Sequence, residues 1–131
     1  MTLMSGKEKV VRMDLSPHQD VPNPSWSQID AAIRSLDGAR NSLISLTIGD
    51  PVPHMAIGGG PDRYILYATF DNLTFATLAD PSIEPGTIEL VAGQRGKYQA
   101  RNAVSLALVL QAARVFAASG VLDRGLTWDT K

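Results

Sequence analysis

Residues 43–79 read LISLTIGDPVPHMAIGGGPDRYILYATFDNLTFATLA, and the way this stretch is divided decides the fold. Short β-branched and aromatic runs alternate with clusters of Gly, Pro, Asp and Asn, the pattern of strands broken by turns. In LISLTIG (43–49), Ile44, Leu46 and Ile48 fall on one face and Ser45 and Thr47 on the other. PVPH makes a turn, MAIG a second strand, GGPDR another turn, and YILYATF a third strand. Asp71-Asn72 then turns the chain into LTFATLA, and PSIEPG (81–86) breaks it before TIELVAG (87–93). Connections this short favour an antiparallel meander of four or five strands, because parallel crossovers need about a dozen residues each.

On either side of this stretch the period changes to that of a helix. Ser25 and Gln28 form a capping-box pattern ahead of Trp26, Ile29, Ile33 and Leu36, an apolar stripe with Gly38 as its stop. After the strands, the spacing predicts a long helix over 99–118, closed by Gly120 and apolar on several faces, hence buried on more than one side. Upstream, KVVRMDL (9–15) reads as a strand, and SPHQDVPNP (16–24), with three prolines, as an irregular linker. The tail around Trp128 reads as extended. The expected fold is α+β, with the meander packed against one long C-terminal helix and a shorter N-terminal helix. It is a single domain over 1–131 whose first 24 residues are partly irregular.

Composition narrows the function. The chain has 131 residues, enough for one domain with a full core. Twelve Lys+Arg against thirteen Asp+Glu leave a net charge of −1, which disfavours a nucleic-acid binder working by bulk positive charge. There is no cysteine and only two histidines, His18 and His54, so no metal site and no cofactor are expected. The most apolar run, AVSLALVLQAARVFAA (103–118), is too short for a membrane span and carries Gln111 and Arg114. With no secretory leader in the first residues, the reading is a cytoplasmic protein.

The motifs that invite chemistry fail on spacing. GQRGK (93–97) resembles a phosphate-binding loop, but the glycine that loop requires falls at Val91, and Tyr98 stands where a hydroxyl for magnesium is needed. It reads as a strand-to-helix turn. The glycines of IGGGPDRY (57–64) precede a strand pattern rather than a helix, and Arg63 occupies the third glycine position of a dinucleotide fingerprint. No Gly-x-Ser-x-Gly occurs, and His54 reads as a turn residue at a strand start. Asp50, Asp62, Asp71, Asp80, Glu84, Asp123 and Asp129 all fall in turns or the tail, where Asp is favoured for local hydrogen bonding. Gathered at loop ends they also make a negative rim suited to a basic partner. With no catalytic constellation, a binding protein is the natural reading. A ligand-binding or enzymatic domain using a pocket between sheet and long helix is the alternative, and an oligomer seam on the apolar helix a third.

Taken in order, LTIGD (46–50), MAIGGGPDRYILYAT (55–69), IELVAGQRGKYQARNAVSLALVLQAARVFAASG (88–120) and LTWD (126–129) resemble the Imm-one family of bacterial immunity proteins. The glycine run with Tyr64, the Gly93-Gln94 turn with Tyr98 and Ala100, and Trp128 carry the likeness, which spans Leu43 to Asp129. Members of that family are typically encoded beside polymorphic toxins, whose C-terminal domains are often deaminases. The resemblance implies an α+β fold and a non-enzymatic role. In that role the chain binds one cognate toxin domain in the cytoplasm and occludes its active site, with no direct contact to nucleic acid or membrane. The sequence does not fix the oligomeric state, and a monomer is favoured. Asp62 and Arg63, Asp71 and Asn72, and Trp128 with Asp129 are the residues expected to touch that partner.

Overall fold

The computed structural model describes residues 8–15, 19–49 and 52–131. Among the described residues, nine strands and two α-helices follow in order: β1 (Arg12–Leu15), β2 (Gln19–Pro22), α1 (Trp26–Arg34), β3 (Leu43–Thr47), β4 (His54–Gly59), β5 (Tyr64–Thr69), β6 (Phe75–Ala79), β7 (Thr87–Ala92), β8 (Gln94–Gln99), α2 (Leu106–Ser119) and β9 (Thr127–Thr130). The main sheet is antiparallel and has seven strands in the order β2-β1-β3-β4-β5-β6-β9, while β7 and β8 form a separate hairpin.

The α+β class, the short first helix and the long last one agree with the sequence reading. The meander of four or five strands does not: the sheet has seven, and part of the expected meander lies outside it. Strands β3 to β6 are the meander, and β1 and β2 extend it at one edge. The linker reading of 16–24 fails over Gln19–Pro22, which pairs with β1, Arg12 standing opposite Pro22, while 16–18 lie outside the described residues. Proline is tolerated there since an edge strand needs donors on one side only. At the other edge β9, distant in sequence, pairs with β6 from Ala76↔Thr130 to Ala79↔Thr127.

The GQRGK segment is also corrected. It is no turn into a helix: Gly93 alone, at φ +80°, is the hairpin turn, and Gln94–Gln99 runs back along β7. Gly96 sits inside this strand against Tyr98, where a side chain would meet the phenol ring at 3.0–3.2 Å. The helix then begins at Leu106, not Gln99. Residues 100–102 form a single 3-10 turn, Val104 bridges to Tyr64, and Ser105 caps α2 by accepting from the Leu108 N–H. Gly120, left-handed at φ +74°, ends it as expected.

Strand alternation sorts the side chains into two faces. Met13, Ile44, Leu46, Met55, Ile57, Leu66, Ala68 and Leu78 share one face with Trp128, by register. On this face lie α1 and α2, contributing Ile29, Ile33, Val109, Ala113 and Phe116, all fully buried in one core. The capping box of Ser25 and Gln28 fixes the start of α1, which ends at Arg34 with Ser35 as its C-cap, three residues before the Gly38 expected to stop it. Leu36, beyond the last turn, is buried with the helix's apolar stripe. The several apolar faces of α2 are covered by the sheet, by α1 and by the 120–128 segment through Leu122, Leu126 and Trp128. Arg114 stacks its guanidinium 4.9 Å from the Trp26 ring centre, shielding the seam between the helices.

Candidate protein-docking face

With both helices on one side, the opposite face of the sheet depends on whatever else covers it. Register puts Ser45, Thr47, His54, Ala56, Ile65, Tyr67, Thr69, Phe75, Thr77, Asp129 and Lys131 on that face. Three half-buried rings cross it in a row. His54 and Tyr67 meet edge to face with centres 6.5 Å apart, and Tyr67 meets Phe75 in the same way at 5.8 Å. Such T-shaped pairs each stabilise their arrangement by roughly 0.5–1.5 kcal/mol beyond area burial, so the row is a rigid feature.

The β7–β8 hairpin covers one part of this face. Ala92 packs on Gly58, and the Gly93 N–H donates to both the carbonyl and the hydroxyl oxygen of Ser42 at 3.2 Å. Between the hairpin and β9 runs a groove of about 510 Å³, floored by Tyr67, Phe75 and Thr77 and walled by Lys97, Tyr98, Arg101 and Asp129. A second concavity of about 630 Å³ lies beyond His54, among Arg12, Asp14, Ser45 and Thr47. The space between sheet and α2, where a ligand pocket was the alternative, is instead filled by Leu66, Leu78, Val109 and Phe116 at 0% exposure.

One polar cluster sets the shape of the groove wall. Arg101 donates from Nε and Nη2 to the two carboxylate oxygens of Asp129, both at 3.0 Å. The buried Asn102 amide donates to Asp129 at 3.1 Å and to the Leu78 carbonyl at 3.1 Å. A forked guanidinium–carboxylate pair fixes both groups more closely than a single contact does. The Asp80 N–H donates to the Arg101 carbonyl, tying the 3-10 turn to the end of β6.

The six residues expected to touch a partner fall in three places. Asp62 and Arg63 are exposed in the β4–β5 turn, where Arg63 reaches the Ala103 carbonyl at 3.4 Å. Asp71 and Asn72 are exposed in the β5–β6 turn at the far end of the same strand. The Asp71 carboxylate accepts from the Thr74 and Leu73 N–H groups at 2.8 and 2.9 Å, and these bonds, Thr74 first, hold its pKa below the ordinary value. Asn72 takes the left-handed conformation, φ +63°, with its N–H on the Thr69 hydroxyl. This turn lifts Leu73 to 83% exposure beside Phe70 at 43%. Trp128 and Asp129, neighbours in β9, point to opposite faces. Trp128 packs on the core and donates its indole N–H to the Asp123 carbonyl, while Asp129 sits in the groove. Asp50 and His18, named in the sequence reading, lie outside the described residues.

Sequence reasoning missed Tyr67, Phe75, Lys97 and Arg101. The signal was present in YILYATF, where Ile65 and Tyr67 alternate with Tyr64, Leu66 and Ala68. A strand apolar on both faces has both faces covered or one awaiting a partner. Among the described residues no three His, Cys, Asp or Glu side chains gather as metal ligands, and no helix is long and apolar enough to cross a membrane.

A sheet armoured by helices on one side, with a rigid aromatic row between charged concavities on the other, defines a protein that works by presenting a surface. The family described as Immunity protein Imm1 matches residues 17–130, and the chain belongs to that family. It is therefore an immunity protein, a binder paired with a cognate toxin and not an enzyme. No curated protein matches the chain.

Proposed function

We propose that this chain neutralises a deaminase-type toxin by seating its open sheet face and the adjoining turns across the toxin's active site. The observation that carries the reading is the His54–Tyr67–Phe75 row, which the helices leave uncovered. The deaminase class rests on the family likeness, whose members are typically encoded beside toxins that often end in such domains. The two turns at the ends of β5 are about 20 Å apart, six residues at roughly 3.3 Å each. One partner's share of a standard interface, about 800 Å², is a patch roughly 30 Å across. Asp62, Arg63, Asp71, Asn72 and Asp129 therefore fit beneath one footprint, with Leu73 as an apolar anchor at one end, while Trp128, turned to the helix face, supports the edge strand from behind. A nucleic-acid deaminase holds its zinc pocket at the end of a substrate channel. A rigid body across the channel mouth stops turnover without touching the metal. The interaction takes place in the producing cell's cytoplasm, with the immunity protein as a monomer.

The test is to express the toxin domain encoded by the neighbouring reading frame with and without this chain. Growth rescue, with stoichiometric loss of base deamination by the purified toxin, is the expected result. Equal killing in both cases refutes the immunity reading. A rescued toxin that leaves cytosine and adenine intact refutes only the deaminase class.

A further inference from the structure

We infer that the groove between β8 and β9 receives an extended, carboxylate-bearing segment of the toxin, held by Arg101, Lys97 and Lys131 over the Tyr67 and Phe75 rings. This inference rests on the toxin-binding reading above and assigns the chemistry of the partner at one part of that surface.

The argument starts from charge. The groove's carboxylate, Asp129, is occupied from within: two bonds from Arg101 and one from Asn102. Lys97 and Lys131, both exposed, form no ion pair among the described residues. Glu89 stands opposite Lys97 in the hairpin register but is not within ion-pairing distance. After the Arg101–Asp129 pair is set aside, the charged side chains left among the residues lining the groove are those of Lys97 and Lys131, in a chain whose overall charge is −1. Partner surfaces are complementary in potential, so the occupant of this groove is acidic.

Pre-organisation strengthens the case. The Arg101 guanidinium is pinned through Nε and Nη2, and its Nη1 makes no hydrogen bond among the described residues. An incoming carboxylate meets a donor whose side-chain entropy is already lost, which raises affinity by lowering the ordering cost of binding. The shape fits an extended chain: among the described residues β8 pairs only with β7 and β9 only with β6, so the groove runs between two edge strands with half-buried rings beneath. Single-stranded nucleic acid fits the rings but not the charge. A phosphate backbone is held by a run of cations with strong salt dependence, and two free lysines beside an internally neutralised arginine supply little of that.

The sign is opposite to the plain expectation that an inhibitor of a nucleic-acid enzyme presents acid to a basic channel. The turns carrying Asp62 and Asp71 keep that role at the rim, while the groove accepts acid from the toxin. A contact surface carrying both signs fixes register as well as attraction.

The experiment measures affinity for the neighbouring toxin domain by calorimetry at low and at raised salt, about 50 and 300 mM, a range over which surface charges become screened. The proteins are the full chain, the Lys97→Glu/Lys131→Glu double variant, the milder Lys97→Gln, and Arg124→Glu as an exposed control away from the groove. Both lysines are exposed, so an unchanged melting temperature is expected and shows that the variants fold. The inference predicts roughly ten-fold or more weaker binding by the double variant at low salt, a flatter salt dependence, an intermediate Lys97→Gln and an unchanged control. Wild-type binding that the double reversal leaves within about two-fold overturns the groove assignment and leaves the immunity function standing. No binding by the wild type overturns both. Competition for the groove by a single-stranded oligonucleotide, lost in the double variant, overturns the acidic-peptide assignment in favour of nucleic acid.

Discussion

Gly58→Ala tests whether the hairpin's seat on the sheet creates the groove. A methyl group at position 58 would lie 2.7 Å from the Ala92 Cα and 2.9 Å from the Ser42 carbonyl oxygen, besides overlapping the Ala92 methyl. Ordinary contact begins near 3.4 Å. Both neighbours are backbone, so the hairpin must lift by roughly 0.7 Å or more and stretch the bonds from Gly93 to Ser42. Inserting one methylene-sized group into a packed site costs about 1–3 kcal/mol. For a domain of this length, each kcal/mol shifts the melting temperature by about 3–5 °C. Thermal unfolding followed by circular dichroism reads the stability, and iodide quenching of Tyr98 fluorescence, in a background with Trp26, Trp128, Tyr64 and Tyr67 changed to Phe, reads the groove wall. The expected result is a lower melting temperature with altered Tyr98 quenching. Adding Ala92→Gly removes the methyl–methyl overlap but leaves the new methyl pressed on the main chain at residue 92, so the double variant recovers part of the loss. Unchanged stability and unchanged quenching in Gly58→Ala refute the claim that close approach at this glycine positions the hairpin.

Phe116→Ala empties the centre of the core under α2, where the ring is fully buried and meets Phe70 edge to face at 6.2 Å; a loss of about 3–5 kcal/mol by urea denaturation is expected. Asn102→Ala leaves the Leu78 carbonyl and one Asp129 oxygen short of a donor, at a cost of about 1–3 kcal/mol, and toxin affinity falls as the groove wall loosens. Asp71 titrates below its ordinary range because the Thr74 and Leu73 N–H groups favour its charged form. Its contribution to the turn is thus complete above the unfolded value, roughly pH 3.9, and is lost as pH falls through the lower folded-state value. Amide exchange at Leu73 and Thr74 is expected to rise only in that acid range, and Asp71→Asn removes the dependence.

How far the residues themselves announced this architecture depends on which signal each element carries. The capping box and the stripe of α1 are local, and both are present where their residues predict them. The meander β3 to β6 was legible because its polar and apolar positions alternate or its turns carry Gly, Pro and Asn. The elements misread were those whose local chemistry points one way and whose tertiary setting points another. Pro22 argues against a strand until β2 is known to lie at an edge. Gly93 and Gly96 look like a flexible loop, yet one is the turn of a hairpin and the other is roofed by Tyr98 within a strand. Nothing in QARNAV forbids a helix, so the pattern suggests a start at Gln99; the helix starts at Leu106 because a long-range bridge to Tyr64 holds Val104 out of it, after a 3-10 turn at 100–102. For the candidate site, the turns bearing Asp62 and Asp71 could be located from their residues alone, while the ring row depended on which side of the sheet the helices chose.

The position of β9 bears on when this molecule becomes useful to a cell. Its neighbour β6 is synthesised some fifty residues earlier, and the partner of Arg101 arrives only with Asp129. Since chains emerge from the ribosome in order, the edge beside β6 stays bare until α2 has formed and the following strand swings in. The groove wall is therefore completed late in synthesis, and a product cut off after α2 is expected to lack both the edge strand and the carboxylate that fixes Arg101.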